Sequence, residues 1–321
     1  MVRWQPDATP ANLRLRAGML ARVRGFFADR DVLEVDTPLM CHATGTDPHL
    51  DALALELAPG DRRYLQTSPE FAMKRLLAAG SGPIYQLCKA FRRDETGQRH
   101  NPEFTMLEWY RPGFDDSQLM DEVAALMGVC LPAPMLATDA DIPRISYREL
   151  FRQYLALDPL AASDDELLAC ARGYTDPGDM TLSRDDLLNL LMSLVIEPQL
   201  QAPVFVIEFP ASQAALAQIT HDHDGYPVAR RFELFIAGME LANGYLELTD
   251  AAEQSRRFAA DNRQRQAAGL PVREVDNRLL AALNHGLPAC AGVALGFDRL
   301  MMLAAGAGHI SEVLSFVADN A

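Results

Sequence analysis

The feature that most limits how this chain can fold is that its strand-like segments arrive as neighbours. Residues 84–91 and 104–110 both read as strands, and only the polar segment RRDETGQRHNPE lies between them. Parallel strands need a longer crossover, usually a helix, to bring the chain back to the same end of the sheet. The segment is too polar to be a core element and long for a hairpin loop, and its charge suggests a functional loop. A second pair, 232–236 and 241–248, lies within FELFIAGMELANGYLEL, which alternates like two strands meeting at a turn. Further extended segments are expected at 64–67, 204–209 and 291–296. Regular βαβ alternation is absent. The expected class is α+β, with an antiparallel β-sheet flanked by helices.

Helical spacing of apolar residues predicts helices over 11–30, 117–129, 147–157, 164–172 and 184–196, with a long polar helix over 251–268. Core packing accounts for these apolar stripes. Ser68 has the chemistry of an N-cap, with Pro69 at the first helical position and Glu70 in the first turn, for a helix ending at Gly80. The last strand runs into a helix from Asp298.

Charge narrows the function. Lys plus Arg number 29 against 44 Asp plus Glu, a net charge of −15, which disfavours a protein whose main task is to grip phosphate backbones. The five cysteines contain no C-x-x-C pair, so neither a zinc knuckle nor a disulfide framework fits, and a reducing cytoplasm does. The N-terminus has no signal-like pattern, and no apolar run reaches the length of a membrane span.

Three clusters carry chemistry. Arg92, Arg93, Arg99 and His100 lie on or beside the loop between the first strand pair, where guanidinium groups suit a bent polyphosphate and Phe104 offers a face to a purine. A solvated loop with surface ion pairs would read the same way. Glu233, Glu240 and Glu247 recur every seven residues within an apolar pattern, where carboxylates are costly unless they meet cations, Mg²⁺ among them. An exposed strand face is the alternative. GVALGFDRL joins a glycine-bearing strand to a helix start, where Arg299 and an anion are both favoured. There is no G-x-x-x-x-G-K-[ST] loop, so ATP would have to be held by side-chain cations and metal. His221 and His223 lack a third metal ligand and read as a loop.

Together these clusters resemble the class II aminoacyl-tRNA synthetases. Gly25-Phe26 through Thr37-Pro38 is similar to their motif 1, FRRDE…RHNPEF to motif 2 and GVALGFDRL to motif 3. Gln66-Thr67-Ser68-Pro69-Glu70, HNPEFTMLEWY and GMELANGYLELTD resemble the lysine-specific branch. The resemblance covers essentially the whole chain. The motif 1 helix starts almost at the N-terminus, leaving no room for the anticodon-binding barrel of lysyl-tRNA synthetases. The chain is therefore expected to be one catalytic domain over 1–321, similar to the truncated lysyl-tRNA synthetase paralogues that ligate lysine to elongation factor P.

The resemblance implies activation of lysine, preferably (R)-β-lysine, by ATP as an aminoacyl-adenylate. Transfer to a lysine ε-amine of elongation factor P would follow. It implies catalytic roles for Arg92 and Arg299. ATP contacts would come from Arg92, Arg93, Asp94, Arg99, His100, Asn101, Phe104, Glu240, Leu241, Gly296 and Arg299. Substrate contacts would come from Ser68, Pro69, Glu70, Glu108, Tyr110 and Glu247, and Mg²⁺ would sit on Glu233 and Glu240. A cytoplasmic homodimer with no tRNA partner is the further expectation. Two departures stand out. Arg93-Asp94 replaces the family's usual Asn-Glu, and Ala294 stands where lysyl-tRNA synthetases have Gly, which suggests a pocket reshaped for a β-amino acid. A minimal lysyl-tRNA synthetase and a non-catalytic synthetase-like regulator are the alternatives. The retained Arg92, Arg299, Glu233, Glu240 and Glu247 favour an active enzyme.

Overall fold

The computed structural model describes residues 4–93, 95–132, 135–136, 141–176 and 182–321. In chain order the strands are β1 (Leu33–Glu34), β2 (Met40–Cys41), β3 (Ala54–Ala58), β4 (Asp61–Leu65), β5 (Ile84–Phe91) and β6 (Glu103–Pro112), then β7 (Arg144–Ser146), β8 (Val204–Pro210), β9 (Ile219–His221), β10 (Pro227–Ile236), β11 (Met239–Leu246) and β12 (Cys290–Gly296). The main sheet has the order β1-β5-β6-β12-β11-β10-β8-β7, with β9 on β10; β2-β4-β3 form a small second sheet. The expected pairs β5/β6 and β10/β11 are antiparallel neighbours. The sheet is not wholly antiparallel, because β1 joins β5 and β7 joins β8 in parallel at the two edges.

Alternation along the central strands divides the sheet into two faces. Leu107 and Trp109 of β6, Val293 and Leu295 of β12, and Phe232 and Leu234 of β10 belong to one buried cluster. Helices Pro10–Ala28, Asp116–Cys130 and Phe297–Ala305 contribute Phe27, Val123, Leu300 and Met301 to the same cluster. Phe27 stacks on Tyr85 with ring centroids 4.3 Å apart. Trp109 is fully buried, and its indole N–H donates to Glu122 at 3.0 Å, so the ring loses no hydrogen bond on burial. The intervening residues, Glu108 and Tyr110 of β6, Gly292, Ala294 and Gly296 of β12, and Arg231 and Glu233 of β10, face the other way and line a cleft.

Local chemistry sets the helix starts. Ser146, Ser163 and Ser183 each accept from the amide three residues on, while Glu149, Glu166 and Asp186 return the bond, closing capping boxes. The helix after β4 starts one residue later than its sequence suggests: it spans Glu70–Ala78 with Pro69 at the cap. Ser68 Oγ still accepts from the Glu70 amide at 3.3 Å. Helix Arg184–Leu191 is followed by a π-helical turn, Met192–Ile196, instead of continuing as α-helix.

Candidate active site

The cleft has a volume of about 890 Å³, within the usual range for small-molecule sites. Its floor is β12. Gly292 is the register partner of both Tyr110 and Tyr245, and Ala294 of both Glu108 and Asn243. Small residues on the central strand leave open the space between the larger side chains of β6 and β11. A Cβ on Gly292 would run into the Tyr110 ring and Glu247 Oε1, so only glycine fits there.

One end of the cleft is cationic. Arg299, in the first turn of helix Phe297–Ala305, donates to the Glu240 carbonyl at 2.8 Å and meets His100 Nε2 at 2.6 Å. Burial, and then Arg299, lower the His100 pKa, so the neutral imidazole can accept that bond. Arg99 donates to the carbonyl of Gly238, in the β10–β11 turn, at 2.6 Å. Arg92 pairs with Glu95 at 3.2 Å, and its guanidinium lies 5.1 Å from the Phe104 ring centroid. Three separated segments, the β5–β6 loop, the β10–β11 turn and the last long helix, thus bring Arg92, Arg99, His100 and Arg299 to one cleft. Leu241 and Gly296 line the same space.

Glu233 and Glu240 also line it. Glu233 pairs with Arg231, yet burial raises its pKa to about 7; Arg231 opposes the rise and Glu240 adds to it. Oxygen donors crowded in this way suit a hard cation such as Mg²⁺.

The other end is a carboxylate pocket. Glu108 and Tyr110 are buried, and Tyr110 donates to Glu108 Oε1 at 2.7 Å. Glu108 Oε2 is buried with no hydrogen-bond partner among the described residues. Burial, together with the Glu70 charge, pushes the Glu108 carboxyl well above the usual range. Glu247, just past β11, is 1% exposed. Ser68, Pro69 and Glu70 line this end, at the start of helix Glu70–Ala78.

Two residues expected at the nucleotide are placed differently from the rest. Arg93 is outside the cleft lining and pairs with Asp51 at 3.1 Å, because it leaves the end of β5 on the opposite side from Arg92. Asn101 lines the cleft, but its amide is held by backbone: it donates to the Glu103 carbonyl and accepts from the Ala318 amide. Asp94 lies outside the described residues. The cysteines are free, with Cys130 and Cys290 buried and the other three partly so. Of the two histidines read as a loop, His221 instead ends β9 and pairs with Pro227, and in the turn that follows it Asp222 and Asp224 bind Arg148.

Sequence reading missed three participants. Lys74 is 2% exposed and stands 2.6 Å from both Glu70 and Glu247. Its signal was the four-residue spacing from Glu70 on one helix. Asn243 lines the cleft, with a buried Oδ1 that has no partner among the described residues. Asp298, in the third motif, is a structural staple: it accepts from the Thr105 amide at 2.6 Å and pairs with Arg16 at 2.6 Å.

A family model described as tRNA synthetases class II (D, K and N) matches residues 1–320. Among curated relatives, the elongation factor P–(R)-beta-lysine ligase of Edwardsiella ictaluri is 52% identical, the match covering 100% of this chain and 99% of that protein. The protein of the same name from Pseudoalteromonas translucida is 52% identical over 98% of this chain and 97% of its own length. That from Hamiltonella defensa is 50% identical over 99% and 98%. The chain therefore belongs to the class II tRNA synthetase family, groups within it with the elongation factor P–(R)-β-lysine ligases, and is a ligase.

Proposed function

We propose that this ligase uses ATP to activate lysine, preferably (R)-β-lysine, and transfers it to a lysine ε-amine of elongation factor P. The observation that carries the reading is the polarity of the cleft. Arginines and His100 lie at one end; at the other are three carboxylates, Glu70, Glu108 and Glu247, one of which has a buried oxygen with no partner among the described residues. A triphosphate suits the first end and the two ammonium groups of a diamino acid suit the second. The names of the relatives supply the acceptor.

In the first step the amino-acid carboxylate attacks the α-phosphorus of ATP. The bond to the bridging oxygen breaks, and pyrophosphate leaves. Two anions must meet, so positioning and charge neutralisation dominate. Arg92 would bridge the carboxylate and α-phosphate, and Arg99, His100 and Arg299 would face the outer phosphates. Phe104 with Arg299 would hold the adenine, for which the Arg92 guanidinium must move off the Phe104 face. Asn101, Leu241 and Gly296 would line the nucleotide, with Arg93 and Asp94 flanking it on the loop. Glu233 and Glu240 would hold Mg²⁺, which when bound neutralises charge on the phosphates.

Glu247, Tyr110 and Glu108 would take the ε-ammonium, and Glu70 with Ser68 and Pro69 the other amine. An analogue lacking an amine would leave a buried carboxylate unpaired, which discriminates strongly. In the second step a neutral acceptor amine attacks the acyl carbonyl and AMP leaves. The working unit of this reading is one catalytic domain over 1–321, a homodimer acting in the cytoplasm without tRNA. No described helix is long and apolar enough to cross a membrane.

ATP–pyrophosphate exchange tests the activation step. Lysine and (R)-β-lysine should support it, and norleucine, which lacks the terminal amine, should not. No exchange with either diamino acid would favour a non-catalytic regulator.

A further inference from the structure

We propose that Lys74 sets the charge of the amine end of the cleft: Glu70, Glu108, Glu247 and this fixed internal ammonium together present two net negative charges, matching the two ammonium groups of a diamino acid. The inference rests on the lysine-type reading above and deepens it by naming the residue that determines how many amines the pocket takes.

The geometry places Lys74 behind the site. Its Nζ lies 2.6 Å from Glu70 Oε1 and 2.6 Å from Glu247 Oε2, the side chain is 2% exposed, and it is not among the residues lining the cleft. It therefore acts through the carboxylates rather than by touching a ligand. Composition makes the residue type pointed: only two of the chain's 29 cationic side chains are lysines, the other being Lys89. An ammonium is a compact point charge able to sit between two carboxylates, whereas a guanidinium is a wide planar fork.

The charge count is clean because the other titratable groups around it stay neutral. From β6, β11, β12 and β5 these are Tyr110, Tyr245, Cys290 and Cys88. Burial raises all four, Cys88 and Cys290 to about 12. Arg231 and Glu233 beside Tyr245 form a compensated pair, and Asp36 lies beyond Cys88. Lys74 is held charged, because attraction to Glu247 and Glu70 outweighs the burial that opposes it. Glu247 is at about 7, raised by burial against the pull of Lys74. Burial, and then the Glu70 charge, raise Glu108 well above the usual range, and an ammonium arriving beside it would draw it back down.

Three measurements test this. In the unaltered protein, calorimetry in buffers of different ionisation heat should find net proton release on lysine binding, drawn from Glu108 and Glu247. No release, or uptake, would overturn the charge count without any variant. Lys74→Met removes the ammonium at similar length. Its KM for lysine in ATP–pyrophosphate exchange should rise about tenfold at neutral pH with kcat changed far less, and log KM should fall more steeply with pH, because Glu247, no longer held down by the ammonium, must now shed its proton in full. Lys74→Met with Glu108→Gln restores two net negative charges and should recover much of the affinity lost in Lys74→Met. Losses that simply add in the double variant, with an unaltered pH slope, would overturn the inference while leaving the lysine reading intact. Absence of lysine-dependent exchange in the unaltered protein would remove both.

Discussion

Gly292→Ala is a single-methyl test of how the site is built. Position 292 is the central point of the floor, with Tyr110 on one neighbouring strand and Tyr245 on the other. The new methyl would fall inside van der Waals contact with Tyr110 Cδ1 and Cε1 and with Glu247 Oε1. Neither neighbour can yield freely: Tyr110 is 2% exposed and tied to Glu108 at 2.7 Å, and Glu247 is 1% exposed and tied to Lys74 at 2.6 Å. Overpacking of this kind costs about 1–3 kcal/mol of stability. Displacing either group from an ammonium ligand forfeits a charged hydrogen bond worth about 1.5–3 kcal/mol. At about 1.4 kcal/mol per factor of ten, that is a loss of about 10- to 150-fold in kcat/KM for lysine. The assay is lysine-dependent ATP–pyrophosphate exchange, with a urea titration alongside to measure folding. The KM for ATP should change little, because the cationic end of the cleft is untouched. A variant that folds and keeps its lysine kcat/KM within about twofold would refute the placement of Tyr110 and Glu247 as the amine-binding wall.

Ala294→Gly opens the floor between Glu108 and Asn243, and should shift exchange from (R)-β-lysine towards lysine; an unchanged preference would sink the role given to that methyl. Asp298→Asn removes the charge from a partly buried pair with Arg16 and weakens the Thr105 contact, so urea unfolding should show a loss of about 1.5–3 kcal/mol. Asp158 is raised by burial, but bonds from Arg148, the Leu160 amide and Arg152 outweigh this and bring it to about 2. Its folded pKa is depressed, so its contribution is complete above about 4 and is lost as pH falls from there towards 2. Stability measured by urea from pH 6 to pH 3 should therefore fall less steeply in Asp158→Asn than in the unaltered protein.

Much of the fold is written locally. The capping boxes at Ser146, Ser163 and Ser183 mark helix starts within the sequence itself, and the β5/β6 and β10/β11 pairs follow from alternation around short connections. Elements without an apolar period were not legible. β3 is exposed along its whole length and finds its place only by pairing with β4. Helix Asn277–Gly286 packs just Leu279 and Leu283 into the core, too sparse a stripe to stand out. The parallel edges β1/β5 and β7/β8 are long-range pairings with no local signature.

The site divides in the same way. Arg92, Arg99, His100 and Arg299 could be nominated by residue type, because clustered cations stand out in an acidic chain. Their convergence depends on three strand pairings. Lys74 illustrates the limit: Glu70 and Lys74 are neighbours on a helix and look like an ordinary surface pair. Only the end of β11 brings Glu247 to the same ammonium, placing buried Lys74 between a buried and a half-buried carboxylate. Arg93 fails in the opposite direction, since adjacency to Arg92 says nothing about which side of a strand end it leaves.

The most direct measurement weighs the acceptor. The protein is incubated with ATP and either lysine or (R)-β-lysine, together with elongation factor P and bulk tRNA, and the macromolecules are analysed by mass spectrometry. The account predicts elongation factor P heavier by one lysyl or β-lysyl residue, with the tRNA unacylated. Acylated tRNA beside unmodified elongation factor P would contradict it.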